Sequence, residues 1–333
     1  EKLLAREDLT EAESSGALKA LLEIDDPAQT AAFLVALRMK GETAGEIAGL
    51  ARAMQQAAVP APCGPGLIDI AGTGGDSAGT VNISTGACVV VAAAGGRVAK
   101  HGNRSVSSLC GSADVIEELG VAADLGPEGV AACVEACGMG FMFAPRFHPA
   151  MKAVVPVRKA LGVRTAFNIL GPMLNPAGAH YSLTGVYTPA LQPLMAEALQ
   201  RLGAKKALVV HSLGLDELTP MGPADVFEVT AEGTRQYVVR PEELGVPRCE
   251  LQDLKGGDRA TNAQMLRDVF GGERSAVADA LNLNAGFALA AGEVAASPAE
   301  GIAMAQEAQR SGKAGDVLAR WIETSNAMKA KEG

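Results

Sequence analysis

Apolar segments of strand length alternate with capped helices through the part of the chain that follows residue 63. The strand candidates are LIDIAG, GAHYSLTGVY, ALVVHS, DVFEVT and RQYVV, the last two joined by a predicted hairpin turn at Glu232-Gly233. Helices that begin near Ser, Thr or Pro and end at Gly are predicted for 112–120, 127–138, 149–162, 188–203 and 297–312. This alternation predicts an α/β domain with a mainly parallel central sheet.

The first 62 residues show helical patterns only. Capping boxes are predicted at Thr10 with Glu13 and at Thr43 with Glu46, while Asp26 precedes a first-turn proline. The linker VPAPCGPG then precedes LIDIAG and ACVVVAAAGG, which have the pattern of short strands or other buried elements. We therefore predict a small α-helical domain over 1–62, to which a later helical segment near 149–180 contributes, and a large α/β domain over 63–333.

The composition excludes several classes of partner. The 333 residues carry a net charge of -9, whereas nucleic acids and anionic membranes require a basic surface. No apolar run approaches the ~20 residues of a membrane span, and the N-terminus lacks the layout of a signal peptide. Six cysteines without a C-x-x-C pair indicate reduced thiols. We expect neither a nucleic-acid nor a membrane partner.

A glycine-rich stretch, DIAGTGGDSAGTVNIST, begins within the first strand candidate. The chain then contains no Asp or Glu from Ser77 to Ala113, which avoids repulsion of an anion. Glycines let backbone N–H groups approach phosphate oxygens closely. The spacing fits neither a Walker A loop, since no lysine follows before Lys100, nor a dinucleotide fingerprint. The stretch therefore predicts a site for a ligand with several phosphates and a ribose, with a purely structural glycine turn as the alternative.

Several segments together resemble one enzyme family. GTGGD, NIST, KHGNRSVSS, GSADVIEELG, FAPRFHPAM, VRKALGVRTAFNILGPMLNPA and GLDELT follow the order found in anthranilate phosphoribosyltransferases, from about Gln29 to the C-terminal helix. The resemblance implies transfer of the 5-phosphoribosyl group from 5-phosphoribosyl 1-diphosphate (PRPP) to the amine of anthranilate, in tryptophan biosynthesis. The products are N-(5-phosphoribosyl)anthranilate and diphosphate. A fold of the nucleoside phosphorylase and phosphoribosyltransferase type, Mg²⁺ as cofactor and a homodimer are also implied.

The resemblance assigns PRPP to residues of the glycine-rich stretch and of two later segments: Gly72, Thr73, Gly74, Gly75, Asp76, Thr80, Asn82, Ser84, Thr85, Lys100 and Ser112. Lys100 is the cation expected to face the diphosphate, and Lys100 and His101 are the catalytic candidates. Ser84 and Thr85 carry hydroxyls that can donate to phosphate oxygens. Asp76 is interpreted as an anchor for the ribose or for the loop amides, and Ser112 as the cap of its helix.

Anthranilate is assigned to Gly72, His101, Asn103, Arg158 and Pro172, with Arg158 meeting the carboxylate. Mg²⁺ is assigned to Ser84, Asp216 and Glu217, because hard carboxylate oxygens after a strand suit this ion. Without the resemblance, the acidic pair fits a solvated turn, and an arginine on a helix fits a surface charge. One departure is Leu109, where many family members carry lysine.

Two alternatives and the source remain open from the sequence. Pyrimidine nucleoside phosphorylases share the fold and a similar loop, although they are longer and lack the VRKALG and NILGP segments. A non-catalytic paralogue would be expected to lose Arg158 or the acidic pair. The segments HSLGLDELTPMGP and WIETSN look more like plant and algal members, which would imply a removed transit peptide and the plastid stroma. A bacterial source would imply the cytoplasm.

Overall fold

The computed structural model describes residues 1–24, 26–105 and 109–332. The helices in these ranges are α1 Glu11–Ile24, α2 Pro27–Lys40, α3 Ala44–Gln56, α4 Ile83–Ala93, α5 Ser112–Glu118, α6 Pro127–Cys137, α7 Ala144–Phe147, α8 Met151–Leu161, α9 Phe167–Leu170, α10 Gln192–Arg201, α11 Arg259–Phe270, α12 Ala276–Ala291, α13 Pro298–Arg310 and α14 Lys313–Glu332. The strands are β1 Leu67–Gly72, β2 Arg97–Gly102, β3 Met139–Phe143, β4 Tyr181–Gly185, β5 Lys206–His211, β6 Ala224–Thr230 and β7 Gly233–Val239.

The strands form one sheet in the order β3-β2-β1-β4-β5-β6-β7. Neighbours from β3 to β5 pair in parallel, and β6 and β7 extend the sheet as an antiparallel hairpin. In the register of β1 with β4, Gly72 is opposite Gly185. The loops after β1, β2, β4 and β5 therefore leave the same edge of the sheet, where ligands bind in open α/β folds. The predicted α/β fold with a mainly parallel sheet is confirmed.

Two hydrophobic clusters cover the sheet. The larger one includes α4 and the apolar helix α12, which is buried along nearly its whole length. The second joins Leu37 and Ile47 of the N-terminal helices to Phe167, Met195 and the sheet residue Val209. The segment after α8 thus packs with the N-terminal helices. A membrane-spanning helix is not found in the described part of the chain.

The capping predictions for the N-terminal helices are confirmed. Thr43 accepts a hydrogen bond from the Glu46 backbone N–H, and the Glu46 carboxylate accepts one from the Thr43 backbone N–H at 2.8 Å. Asp26 accepts hydrogen bonds from the first turn of α2. The sequence interpretation of Ser112 as a cap is wrong: Gly111 occupies the cap position, and Ser112 is the first helical residue.

Other predictions fail where apolar composition gives no period. The segment ACVVVAAAGG lies mainly in α4, so its interpretation as a strand is wrong, although it is buried as expected. Strand and helix cannot be distinguished in a short, uniformly apolar run. The sequence analysis also missed β2, whose apolar pattern is interrupted by Lys100 and His101, and β3, which follows α6 directly.

Candidate active site

The glycine loop between β1 and α4 lies against the connection that follows β5. The backbone N–H of Gly74 donates to the Asp216 carboxylate at 2.6 Å. On β4, a side chain at Gly185 is excluded, because its Cβ would lie 1.5 Å from the Asp216 carbonyl oxygen. Thr73 is tied to the same strand end, since its backbone N–H donates to the Gly185 carbonyl at 3.0 Å. The loop is therefore shaped by its neighbours at the sheet edge.

Two cations that the sequence analysis left without a role hold the loop from outside. Arg164 Nη2 donates to the Gly75 carbonyl oxygen at 2.7 Å, and Lys255 Nζ donates to the Ala78 carbonyl oxygen. Thr80, a predicted PRPP residue, forms a backbone bridge with Lys255. The basic run VRKALGVR contains Arg164, but a sequence does not show which of its two arginines meets the loop. Lys255 gave no sequence signal at all.

Three carboxylates meet where the loop contacts the connection after β5. Oxygen atoms of Asp76, Asp216 and Glu217 lie within 4.8 Å of one another. Burial, and then repulsion from Asp76, raises the pKa of Asp216 to about 7. Burial, followed by repulsion from Asp216 and Asp76, raises the pKa of Glu217 well above its ordinary value. Glu217 Oε2 is buried without a hydrogen-bond partner among the described residues.

This cluster fits a divalent cation, because a positive charge between the carboxylates would relieve the repulsion that helps to raise the pKa of Asp216 and Glu217, and Mg²⁺ prefers hard oxygen ligands. The sequence analysis placed Asp216 and Glu217 at such a site with Ser84, and Asp76 at PRPP. Asp76 also accepts a hydrogen bond from the Ala78 backbone N–H at 3.0 Å. Asp76 therefore contacts the backbone of its own loop through this hydrogen bond, and its carboxylate also lies beside Asp216 and Glu217.

Lys100 is buried on β2 at 3% exposure. Its Nζ donates to the Ile70 carbonyl oxygen and lies 3.4 Å from the Ser84 hydroxyl, in the first turn of α4. Its positive charge partly opposes the rise in the pKa of Glu217. Lys100 and Ser84 are therefore brought together next to the acidic cluster.

Other predicted PRPP residues are partly engaged by the protein itself. The side chain of Asn82 donates to the Cys110 carbonyl at 3.1 Å and accepts from Asn262 at 2.9 Å. The Ser112 hydroxyl donates to the Asn103 carbonyl at 3.0 Å. Thr85 is buried, and its hydroxyl has no partner among the described residues.

The loop after β2 is described only in part. Arg104, in the KHGNRSVSS motif, pairs with Glu117 at 2.6 Å and with Asp114 at 3.2 Å. The VSS part of the KHGNRSVSS motif, 106–108, lies outside the described residues. Leu109, at the position where many family members carry lysine, is 82% exposed.

The predicted anthranilate residues border on a single chain segment. The ring of His101 shares a hydrogen bond at 3.3 Å with the carbonyl of Gly171, which precedes the buried Pro172. Arg158 on α8 lies with its guanidinium carbon 5.9 Å from the centre of the Phe167 ring. Its guanidinium forms no hydrogen bond or ion pair with another described residue, and burial lowers its pKa. A partly buried guanidinium beside an aromatic ring is chemically suited to an aromatic carboxylate.

His101 packs against a second histidine, His148. Its ring centre lies 4.9 Å from that of His148, whose Nε2 lies 2.9 Å from the Leu174 carbonyl oxygen. Burial, and then the neighbouring His148, lowers the pKa of His101 to about 3. Because the Gly171 carbonyl can only accept, Nδ1 of neutral His101 carries the proton and the buried Nε2 is bare. His101 is thus a neutral ring rather than a cation near pH 7.

The comparisons with known proteins agree with this arrangement. Residues 1–58 match the model of the glycosyl transferase family, helical bundle domain, and residues 64–315 match that of the glycosyl transferase family, a/b domain. Anthranilate phosphoribosyltransferase of Chloroflexus aggregans is 50% identical over 327 residues, covering 97% of this chain and 96% of that protein. The chain belongs to the anthranilate phosphoribosyltransferase family. It is therefore a phosphoribosyltransferase of tryptophan biosynthesis, as the sequence resemblance implied.

Solved structures of family members share the whole fold. The Thermus thermophilus enzyme has a TM-score of 0.92 at 46% identity and covers 98% of both chains. The Saccharomyces cerevisiae enzyme in complex with PRPP and Mg has a TM-score of 0.90 at 27% identity, covering 98% of this chain and 96% of that one. The Chloroflexus and Thermus relatives are bacterial and lend no support to the plant or algal likeness.

We predict that His101 makes the protein sensitive to acid. Its pKa in the unfolded chain is close to 6.5, so below that pH the unfolded state binds a proton that the folded state does not bind until about pH 3. The stability that neutral His101 contributes is thus fully present above pH 6.5 and is lost as the pH falls from 6.5 toward 3. Between pH 7.5 and 5, His101 should remove about 2 kcal/mol from the free energy of unfolding.

Urea unfolding of the ligand-free protein at the two pH values measures this loss. His101→Asn should reduce it, whereas His180→Asn, at an exposed histidine, serves as the control. The same pH dependence in wild type and His101→Asn would contradict the prediction.

Proposed function

We propose that this family member binds PRPP at the glycine loop and anthranilate beside Arg158, and that these sites carry out phosphoribosyl transfer to the anthranilate amine. The observation that carries the proposal is the acidic cluster in which Asp76 of the loop meets Asp216 and Glu217. Three carboxylates held this close repel one another, and a metal-bound diphosphate would explain why they lie together beside a loop suited to anions.

The PRPP site uses the loop from Gly72 to Thr80 and the first turn of α4. We assign the phosphate oxygens to backbone N–H groups of the loop and to the hydroxyls of Ser84 and Thr85, with Lys100 as the nearest buried cation. Asn82 and Ser112 complete the set, although their side chains already have protein partners. Asp76, Asp216 and Glu217 would hold Mg²⁺, with Ser84 adjacent; when bound, the ion supplies positive charge that neutralises diphosphate.

The residues promote the reaction by charge stabilisation. The amine nitrogen bonds to C1 of the ribose while the bond from C1 to the diphosphate oxygen breaks, and that electron pair leaves with diphosphate. Lys100 and the loop amides stabilise the negative charge that grows on the leaving group. The attacking amine then loses its extra proton to solvent or to a phosphate oxygen.

Anthranilate is assigned to residues at the end of β2 and to the segment from Arg158 to Pro172. Arg158 would pair with the carboxylate, while His101, Asn103 and Pro172 would line the ring and amine, with Gly72 at the boundary with PRPP. Neutral His101 suits this role, because an uncharged ring can lie beside an aromatic amine without protonating or repelling it. A pKa of about 3 makes His101 a poor proton acceptor, so we assign it to orientation.

We predict that Arg158→Ala raises the KM for anthranilate by at least about tenfold while the KM for PRPP stays within about twofold, since a charged hydrogen bond to one substrate is lost. The decrease in anthranilate fluorescence with PRPP and Mg²⁺ measures both constants. Lys152→Ala removes an exposed cation from the same helix and should change neither. Equal loss for both substrates would contradict the role of Arg158.

We predict that Asp216→Asn combined with Glu217→Gln raises the Mg²⁺ concentration for half-maximal activity by about tenfold or more and lowers kcat. The raised pKa values mean that ionised carboxylates destabilise the metal-free fold at neutral pH, so the double variant should melt at a higher temperature than wild type without metal.

Metal titrations of activity and thermal unfolding in chelator give the two readouts. Glu243→Gln, at an exposed carboxylate, is the control. If the Mg²⁺ concentration for half-maximal activity is unchanged in the double variant, Asp216 and Glu217 do not hold the metal and have a structural role only.

The assembly, domain boundaries and location are also proposals. We propose a homodimer through the N-terminal helices, with domains at 1–62 and 63–333, a complete site in each subunit, and a cytoplasmic location as for a bacterial enzyme. Of the apolar residues there, Leu18, Leu34, Leu37 and Ile47 are buried within the chain itself. Leu4, Ile24 and Met39 are exposed and remain for a subunit contact.

We predict that light scattering at micromolar concentration gives twice the mass of the chain, because contact between two subunits would remove this exposed apolar surface from water. A fully active monomer at that concentration would contradict the dimer.

A further inference from the structure

Arg164 connects the chain segment assigned to anthranilate with the glycine loop assigned to PRPP. It lies between α8, which carries Arg158, and α9, which precedes Pro172. From there its Nη2 reaches the Gly75 carbonyl oxygen at 2.7 Å. Its guanidinium carbon also lies 3.9 Å from the centre of the Tyr187 ring, just beyond β4. One side chain therefore reaches from the segment assigned to anthranilate to the loop assigned to PRPP and to Tyr187.

The contact is built into the backbone on the loop side. Gly75 has φ +83°, a conformation that side chains rarely adopt, and its added Cβ would lie 2.9 Å from Arg164 Nη2. The absence of a side chain at Gly75 thus gives the guanidinium its access to the carbonyl. An alanine at this position would be strained by its φ and would require the guanidinium to shift.

Tyr187 extends the connection to the start of the loop. Its backbone N–H donates to the Thr73 hydroxyl at 3.2 Å, and the Thr73 backbone N–H donates to Gly185 at 3.0 Å. Arg164 stacked on Tyr187 and bonded to Gly75 therefore fixes two points of the same loop. A planar guanidinium can stack and donate at once, which an ammonium cannot.

We infer that Arg164 is a positioning residue, which reaches out from the segment that carries the anthranilate site and holds the PRPP loop in its binding shape. The inference rests on the proposed function, and Arg164 itself is not assigned to either substrate. Its guanidinium acts on the loop through a backbone carbonyl, so its removal loosens the PRPP site while Arg158 keeps its place on α8. Arg158 and Arg164 thus serve opposite substrates although only six positions separate them.

The test compares Arg164→Ala and Arg164→Lys with Lys159→Ala, a matched control that removes an exposed cation from the same segment. Arg164→Ala should raise the KM for PRPP about fivefold to tenfold and leave that for anthranilate within about twofold, the reverse of Arg158→Ala. Calorimetric titration with PRPP and Mg²⁺ should show the same loss in affinity. Arg164→Lys should recover part of it, because the ammonium still reaches the carbonyl but does not stack.

Tyr187 provides a second variant pair. Tyr187→Phe keeps the ring and should behave as wild type, whereas Tyr187→Leu should weaken PRPP binding. The double variant with Arg164→Ala should be little worse than Arg164→Ala alone, because both changes break one unit.

The measurements distinguish failure of the positioning role of Arg164 from failure of the proposed function. If wild type transfers phosphoribosyl to anthranilate but Arg164→Ala matches Lys159→Ala, the positioning role is overturned and the proposed function stands. Equal rises in both KM values, with an unchanged affinity for PRPP, would also overturn it. If wild type shows no transfer, the proposed function itself fails.

Discussion

The close approach of Asp216 to the ends of β1 and β4 is the contact on which the rest of the site depends. Its carbonyl oxygen occupies the space beside Gly185, and its carboxylate accepts the Gly74 N–H. The glycine loop and the acids suited to the metal are therefore one mechanical unit. Any movement of the connection after β5 would displace both the loop and the carboxylates.

That unit carries a cost that the surrounding fold must offset. Asp76, Asp216 and Glu217 are held together although burial and mutual repulsion raise the pKa of the latter two. Five parallel strands, the buried α4 and the almost fully buried α12 provide a rigid base for these groups. Strain of this kind is common where function requires charge that folding alone would avoid.

The sequence predicted those features that have local causes. Capping residues such as Thr43 and Asp26 identified helices, and short apolar segments identified five of the strands. It did not predict β2, because buried Lys100 and partly buried His101 obscure the strand pattern for reasons that arise only from neighbouring strands. Local pattern cannot reveal residues whose burial is created by tertiary contacts.

The site shows the same division. The resemblance named Asp216 and Glu217, but the addition of Asp76 to their cluster depends on a contact across 142 positions, seen between Gly74 and Asp216. Likewise, Arg158 and Arg164 have similar neighbours in the sequence. The residues that each side chain contacts in the fold distinguish them. Such distinctions follow from the fold and have no signature in a single sequence.

The paired rings of His101 and His148 have a consequence for the fidelity of the reaction. Water competes with the aromatic amine for C1 of the ribose, and hydrolysis would waste an activated sugar. His148 is almost fully buried and His101 partly so, and burial lowers the pKa of both, so the pair forms an uncharged, weakly basic surface next to Pro172. The same lowered basicity that removes His101 as a proton acceptor also denies an intruding water molecule a partner that would activate it.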